Sequence, residues 1–194
     1  LYTGTGDYER IGSTNTGTDN LMLGISDPHY PAYRDVAVAT KASDLTNCKN
    51  TTKDTTGAKC PQTPKDVGWY ITLDDFQKVT AEPTVSSGLV YFPIYKPSSS
   101  VNKCSLGDAF ICGVDDECGT NVSNKLGSFR NKKDSCMYVG QGVLSRIVVY
   151  ANKLFANIAG QSTNAQKKDL VVLDAAAGGT SSSVSYTHLR AHET

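Results

Sequence analysis

Six cysteines are the residues whose type and spacing most clearly predict a chemistry, and that chemistry is disulfide formation. They are Cys48, Cys60, Cys104, Cys112, Cys118 and Cys136. Cysteines at this density in a loop-rich chain are typical of an oxidising compartment, and six of them allow 15 connectivities. Short loops favour the pairs Cys48–Cys60, Cys118–Cys136 and Cys104–Cys112. The alternative is a zinc site, which the absence of any Cys-x-x-Cys spacing disfavours.

The remaining candidate motifs do not form a catalytic or metal-binding pattern. His29 lies in a proline-flanked turn, and no Gly-x-Ser-x-Gly elbow accompanies it. The pair Gly4 and Gly6 lacks the third glycine of a dinucleotide-binding loop. The acidic groups 74–75 and 115–117 lack the calcium-loop pattern, so we expect them to cap their own backbone turns. We therefore predict a protein that is not an enzyme, with no catalytic, cofactor or metal residue in this chain.

Composition limits the partners and the boundaries of the chain. The 19 basic and 19 acidic side chains give a formal net charge of zero, which argues against a nucleic-acid partner. No apolar run is long enough for a transmembrane helix. Because Leu1 falls inside a strand pattern, we interpret residues 1–183 as a fragment of one domain. Residues 184–194 resemble a translated sequencing adapter, and we expect this tail to be non-native.

Internal repeats indicate the architecture. The pattern around Tyr2 and Gly24 recurs around Tyr91 and Gly113, 89 positions later in both cases. A weaker copy maps residues 85–94 onto residues 149–158, an offset of 64. Repeated units of strand, strand and acidic turn are typical of radial or solenoid β-arrays.

The strand patterns predict an all-β chain, a partial β-propeller of two to three four-stranded antiparallel blades. Tight hairpins are expected at residues 87–88 and 151–152, where the residue types tolerate positive φ. Polar insertions near residues 40–67 and 119–135 have little apolar content, and we expect disulfides to hold them. The residues predicted to lie in blade cores are Trp69, Ile71, Val90, Phe92, Ile111, Val114, Val149 and Phe155.

The order of several short segments is similar to the C-terminal β-propeller of PilY-type proteins of type IV pili. The resemblance covers most of residues 1–175. The matching segments include Gly68-Trp69-Tyr70-Ile71-Thr72-Leu73, Gln77-Lys78-Val79, Gly88-Leu89-Val90-Tyr91-Phe92, Tyr95-Lys96-Pro97-Ser98-Ser99 and Cys104-Ser105-Leu106-Gly107-Asp108-Ala109.

This resemblance implies a pilus-tip or outer-membrane protein that is exported through the periplasm and supports pilus assembly and adhesion. Its partners would be pilins or other tip components and a host or abiotic surface. The resemblance also implies calcium binding in the full-length protein, upstream of Gly4, with no ligand in this chain. The alternative is a quinoprotein-type propeller, either a quinone-dependent dehydrogenase or an outer-membrane scaffold. The single tryptophan, Trp69, lacks the regular tryptophan docking of that class.

Overall fold

A computed structural model describes nine segments of the 194-residue chain: residues 1–6, 9–14, 19–26, 44–48, 68–74, 76–99, 105–120, 136–160 and 170–175. The adapter-like tail, His29, Cys60, Cys104 and most of both polar insertions lie outside these residues. Within them the only regular secondary structure is β-strand, which confirms the all-β prediction for this part of the chain. No helix here is long and apolar enough to cross a membrane.

Thirteen strands form three sheets in the described residues. The first sheet has the order β1-β2-β4-β3, made of Tyr2–Gly4, Leu21–Ile25, Gly68–Thr72 and Thr46–Asn47. In the second sheet, β7-β8-β9 (Leu89–Lys96, Asp108–Asp115, Cys136–Gln141) is extended on the β7 edge by β5 and β6 (Lys78–Val79, Thr84–Ser86). In the third, β12 (Lys153–Ala159) lies between β13 (Leu170–Asp174) and the short strands β10 and β11 (Val143–Leu144, Val148–Tyr150).

The strand registers reproduce the sequence repeats. Tyr2 pairs with Gly24 in the first sheet, and Tyr91 pairs with Gly113 in the second. The hairpin β6–β7 pairs Val85 with Val90, and the hairpin β11–β12 pairs the equivalent residues 149 and 154. The three sheets are therefore copies of one unit, as the offsets of 89 and 64 positions predicted.

Both predicted hairpin turns have left-handed backbone conformations. The φ angles are 53° and 75° at Ser87 and Gly88, and 45° and 61° at Ala151 and Asn152. Two successive residues of positive φ make a two-residue turn whose twist matches that of the flanking strands. The tight turns keep β6 beside β7 and β11 beside β12.

The second sheet lies between the other two, and this explains why β7 is almost wholly buried. Alternate side chains of a strand point to opposite faces of its sheet. Val90 and Phe92 accordingly pack against the first sheet, whereas Leu89 and Tyr91 pack against the third. Hydrogen bonds add to this packing: the hydroxyl of Thr84 donates to the Ile147 carbonyl oxygen at 2.6 Å.

The core prediction is confirmed for most of its residues. Trp69, Val90, Phe92, Ile111 and Val114 are buried, and Ile71 and Val149 are partly buried against the same clusters. Phe155 is only partly buried and the prediction for it is wrong, because its neighbour Leu154 points to the core face of β12. A second departure is β3, which pairs with β4 in parallel rather than antiparallel.

The disulfide pattern corrects the short-loop prediction. Cys112 is bonded to Cys136, its direct cross-strand partner on β8 and β9, so the pairs Cys104–Cys112 and Cys118–Cys136 are wrong. Cys118 is also disulfide-bonded. Cys48 is buried, and its Sγ lies 3.6 Å from the Thr46 carbonyl oxygen. Its predicted partner Cys60 lies outside the described residues, so that pair stays a prediction. Strand register, which loop length does not reveal, decided the Cys112 pairing.

Replacing Gly24 should test the packing between the first two sheets. A Cβ at Gly24 would overlap the indole ring of Trp69, so Gly24→Ala should lower the free energy of unfolding by about 1–3 kcal/mol. Gly12→Ala is the matched control, because nothing lies near its added methyl group. Urea unfolding measures both variants. Equal stabilities of the two would contradict this packing.

Removing the cross-strand disulfide should destabilise β9 in particular. The bridge closes a separation of 24 residues, so the double variant Cys112→Ala, Cys136→Ala should lose roughly 3 kcal/mol of unfolding free energy. Hydrogen exchange should show the loss of protection in β9 before it appears in β12. Equal loss in both strands would argue that the bridge does not anchor β9 locally.

Candidate functional site

A cleft of about 440 Å³ lies where the first and second sheets meet, beside the acidic turn that follows β8. Strands β1, β2 and β4 supply one wall, and the turn supplies the other. The cleft is lined by Leu1, Tyr2, Gly24, Ile25, Ser26, Gly68, Trp69, Asp116 and Glu117. The site therefore combines two carboxylates with a phenol and an indole.

Trp69 is the side chain that holds the two walls of the cleft together. Its ring lies between Gly24 of β2 and Gly119 of the acidic turn, and a Cβ at either glycine would overlap the ring. Gly119 also has φ 63°, a conformation that favours glycine. The indole Nε1–H donates to the main-chain oxygen of Asp116 at 3.0 Å. Trp69 thus joins β4 of the first sheet to the turn of the second by packing and by a hydrogen bond.

The same carbonyl oxygen accepts a second hydrogen bond from the first sheet. The Tyr2 hydroxyl donates to the Asp116 oxygen at 3.1 Å, and the rings of Tyr2 and Trp69 lie 6.2 Å apart at an interplanar angle of 41°. Two aromatic donors from different strands therefore converge on one main-chain acceptor. This convergence fixes the position of the turn relative to β1 and β4.

The acidic turn is built by its own side chain and backbone. Buried Asp115 accepts hydrogen bonds at Oδ1 from the backbone N–H groups of Glu117 (3.2 Å) and Cys118 (3.1 Å). The Asp116 N–H donates to the Gly88 carbonyl oxygen at 3.2 Å, which ties the turn to the β6–β7 hairpin. This is the backbone-capping role predicted for an aspartate after a strand.

Burial and nearby like charges change the acid–base behaviour of the cleft. The pKa of Asp116 is raised above 3.8, first by burial and then by the charges of Asp115 and Glu117. Burial, followed by the charges of Asp116, Asp115 and Glu117, also raises the pKa of the Tyr2 hydroxyl above 10.0. Tyr2 therefore stays protonated at neutral pH and remains a hydrogen-bond donor to the turn.

The described oxygen atoms of the acidic turn do not form a cation cage. The Asp115 carboxylate already accepts two backbone N–H groups, and the Asp116 carbonyl oxygen already accepts two aromatic donors. Within the described segments no group of three or more His, Cys, Asp or Glu residues could hold a metal ion.

Sequence reasoning identified the acidic turn but missed the site around it. The capping by Asp115 and the burial of Trp69 were predicted; the convergence of Tyr2 and Trp69 on Asp116 was not, because it joins residues more than 40 positions apart in sequence. The internal repeat contained one signal for this site. Gly24, where a Cβ would overlap the Trp69 ring, occupies the position in the repeat that is equivalent to Gly113. The described cysteines, Cys48, Cys112, Cys118 and Cys136, are not among the residues that line this cleft.

The stacked sheets define the class of fold to which the chain belongs, a partial β-propeller, and this confirms the predicted fold class. The fold is similar to the crystal structure of the Pseudomonas aeruginosa PilY1 C-terminal domain, with a TM-score of 0.51 and 14% sequence identity. The similarity covers 81% of this chain and 39% of that one, so the chain spans less than half of the solved domain. No family model matches the sequence, and no curated protein matches it.

The raised pKa of Asp116 predicts how stability depends on pH. The folded state binds the Asp116 proton more tightly than the unfolded state does. The contribution of Asp116 to the free energy of unfolding is therefore most favourable below pH 3.8, and it is lost as pH rises through the higher folded-state pKa. Asp116→Asn should therefore be more stable than the wild type at pH 7, with the difference vanishing below pH 3.8.

Thermal unfolding at a series of pH values measures this difference. Glu82→Gln is the control, because Glu82 is an exposed carboxylate paired with Arg146 away from the cleft, and its replacement should bring no gain at pH 7. A constant difference between wild type and Asp116→Asn at every pH would contradict the argument.

Proposed function

We propose that the chain is part of a non-catalytic, exported surface protein that supports type IV pilus assembly and adhesion. The observation that carries the proposal is the likeness of its stacked sheets to the PilY1 C-terminal domain. The order of the sequence segments that resemble PilY-type propellers, over most of residues 1–175, supports the same conclusion. Fold alone does not establish function, so these two lines of argument are used together.

The chemistry of the described residues is compatible with a scaffold in an oxidising compartment. The Cys112–Cys136 bridge is of the kind that forms and persists in exported proteins. In this proposal the disulfide-tied blades hold the polar insertions, which present variable surfaces to pilins, to other tip components or to a host or abiotic surface. Calcium would act in the upstream part of the full-length protein, outside this chain.

Deletion of the gene in its own bacterium tests the proposal. The deletion strain should lose pilin from the sheared surface fraction and should adhere poorly, and the full-length gene supplied in trans should restore both. A full-length copy carrying Gly12→Ala should restore them equally well, because that substitution meets no neighbouring atom.

Two results would overturn the proposal. One is normal surface pilin and normal adhesion in the deletion strain. The other is quinone binding by the full-length protein together with oxidation of an alcohol or a sugar, which would establish the quinoprotein alternative. A dye-linked dehydrogenase assay on the purified protein distinguishes this second result from a simple loss of pili.

A further inference from the structure

The outer edge of the second sheet is a row of backbone groups with which no other described strand pairs. β9 is the last strand on this side of the sheet, and β8 lies on its other side. β9 comes from the interior of the chain and belongs to the sheet that is covered on both faces. An unpaired strand edge presents alternating N–H and C=O groups, which another extended polypeptide can match along its length.

Two residues of β9 point their backbone groups at this edge. Cys136 lies opposite Cys112 with a Cα–Cα distance of 4.0 Å, the close spacing of a pair that exchanges no backbone hydrogen bonds. The N–H and C=O of Cys136 therefore point away from β8, and those of Tyr138, two residues further along, point the same way. The β-bulge beyond Tyr138 ends the regular edge there.

The first sheet shows what covers an edge of this kind. Tyr70 of β4 is the counterpart of Cys136, because their partners Leu23 and Cys112 are equivalent through the offset of 89 positions. The Tyr70 carbonyl oxygen accepts a hydrogen bond of 2.8 Å from the N–H of Cys48, directly after β3, and β3 runs parallel to β4. A parallel strand therefore covers the edge of β4, and β9 has the equivalent groups in the equivalent position.

The side chains of β9 leave this edge accessible. Its six residues include no proline and no charged residue, which are two usual means of blocking an edge strand. Tyr138 is 52% exposed, and its ring lies edge-on to Phe110 at a centroid distance of 5.6 Å. An aromatic side chain on a sheet packs well beside a β-branched or aromatic residue of a neighbouring strand. Tyr138 thus adds a side-chain preference to the backbone groups of the edge.

We propose that the edge of β9 binds an extended segment of a partner protein, which joins the second sheet as a strand parallel to β9. The partner segment carries β-branched or aromatic residues beside Tyr138. The parallel direction excludes pairing between the β9 strands of two copies related by a twofold axis, because such an axis brings identical strands together antiparallel. This inference goes beyond the proposed function, since it assigns a docking edge to the blade itself.

The probe for this edge is the capped peptide Leu-Thr-Asn-Val-Thr-Val. Its Thr-Asn pair is the sequence of β3, and its β-branched residues favour an extended chain. In the register that β3 has on β4, the N–H groups of the two valines would face the carbonyl oxygens of Cys136 and Tyr138. The control peptide carries a methyl group on each of these two backbone nitrogen atoms, which removes both donors.

Nuclear magnetic resonance on the isotope-labelled 194-residue chain measures the binding. We expect the parent peptide to shift the amide resonances of Cys136 and Tyr138 and to slow hydrogen exchange at the Tyr138 N–H several-fold. The N-methylated peptide should have neither effect. A Tyr138 N–H that is already protected in the free chain would show that the edge is covered, and would overturn the proposal. Equal binding of the two peptides, or no binding of either, would overturn it too.

Two variants at Tyr138 test the protein side of the contact. Tyr138→Pro removes the outward N–H but no hydrogen bond to β8, so it should abolish binding while the sheet stays folded. Tyr138→Thr is the matched control, because it removes the same ring but keeps the N–H and a β-branched side chain, and it should still bind. Amide resonances of the first and third sheets report whether each variant is folded.

Binding of the peptide by Tyr138→Pro, or its loss in Tyr138→Thr, would contradict recognition through the backbone. If Tyr138→Pro does not fold, the comparison of the two peptides on the wild-type chain decides the question alone.

Discussion

The contact of Trp69 with the acidic turn is the interaction on which the arrangement of the first two sheets depends. The ring fits between two glycines from different sheets, and its N–H donates to the Asp116 carbonyl oxygen. A buried indole whose polar N–H has no acceptor costs free energy of folding. The turn must therefore present a main-chain oxygen at that point. The side-chain cap supplied by Asp115 holds the turn in the conformation that does so.

The second sheet, which packs against both of the others, carries the packing constraint from the first sheet to the third. Because β7 is covered on both faces, a shift of its register by one residue would exchange the side chains that meet the first and third sheets. Phe92 would then lose its place beside Trp69, and Tyr91 would lose its place against the third sheet. The paired registers of β7 and β8, and the disulfide from β8 to β9, oppose such a shift. The three sheets therefore form one connected structure.

The electrostatics of the cleft follow from the same packing. Asp116 lies where the two sheets meet, so burial and the neighbouring carboxylates raise its pKa, while its main-chain oxygen is held by two aromatic donors. The Asp115 Oδ1 and the Asp116 main-chain oxygen both accept hydrogen bonds that build the turn or join it to the first sheet. In the structure the acidic turn joins the first sheet to the second. The functional proposal therefore rests on the polar insertions that the blades hold.

The sequence by itself determined the structural unit, which consists of two strands and an acidic turn, and showed that this unit is repeated. Alternating apolar residues predicted the strands, and positive-φ residue types at 87–88 and 151–152 predicted the hairpins, because these features depend on local backbone chemistry. The offsets of 89 and 64 positions predicted a repeated β-unit, and the strand registers of the structure recur at the same offsets. Only the tertiary structure decided which face of each strand is covered, as the burial of Leu154 in place of Phe155 shows. It also decided that Cys112 pairs with Cys136 and that Tyr2 and Trp69 converge on Asp116. These contacts join residues distant along the chain, and their geometry arises only when the sheets stack.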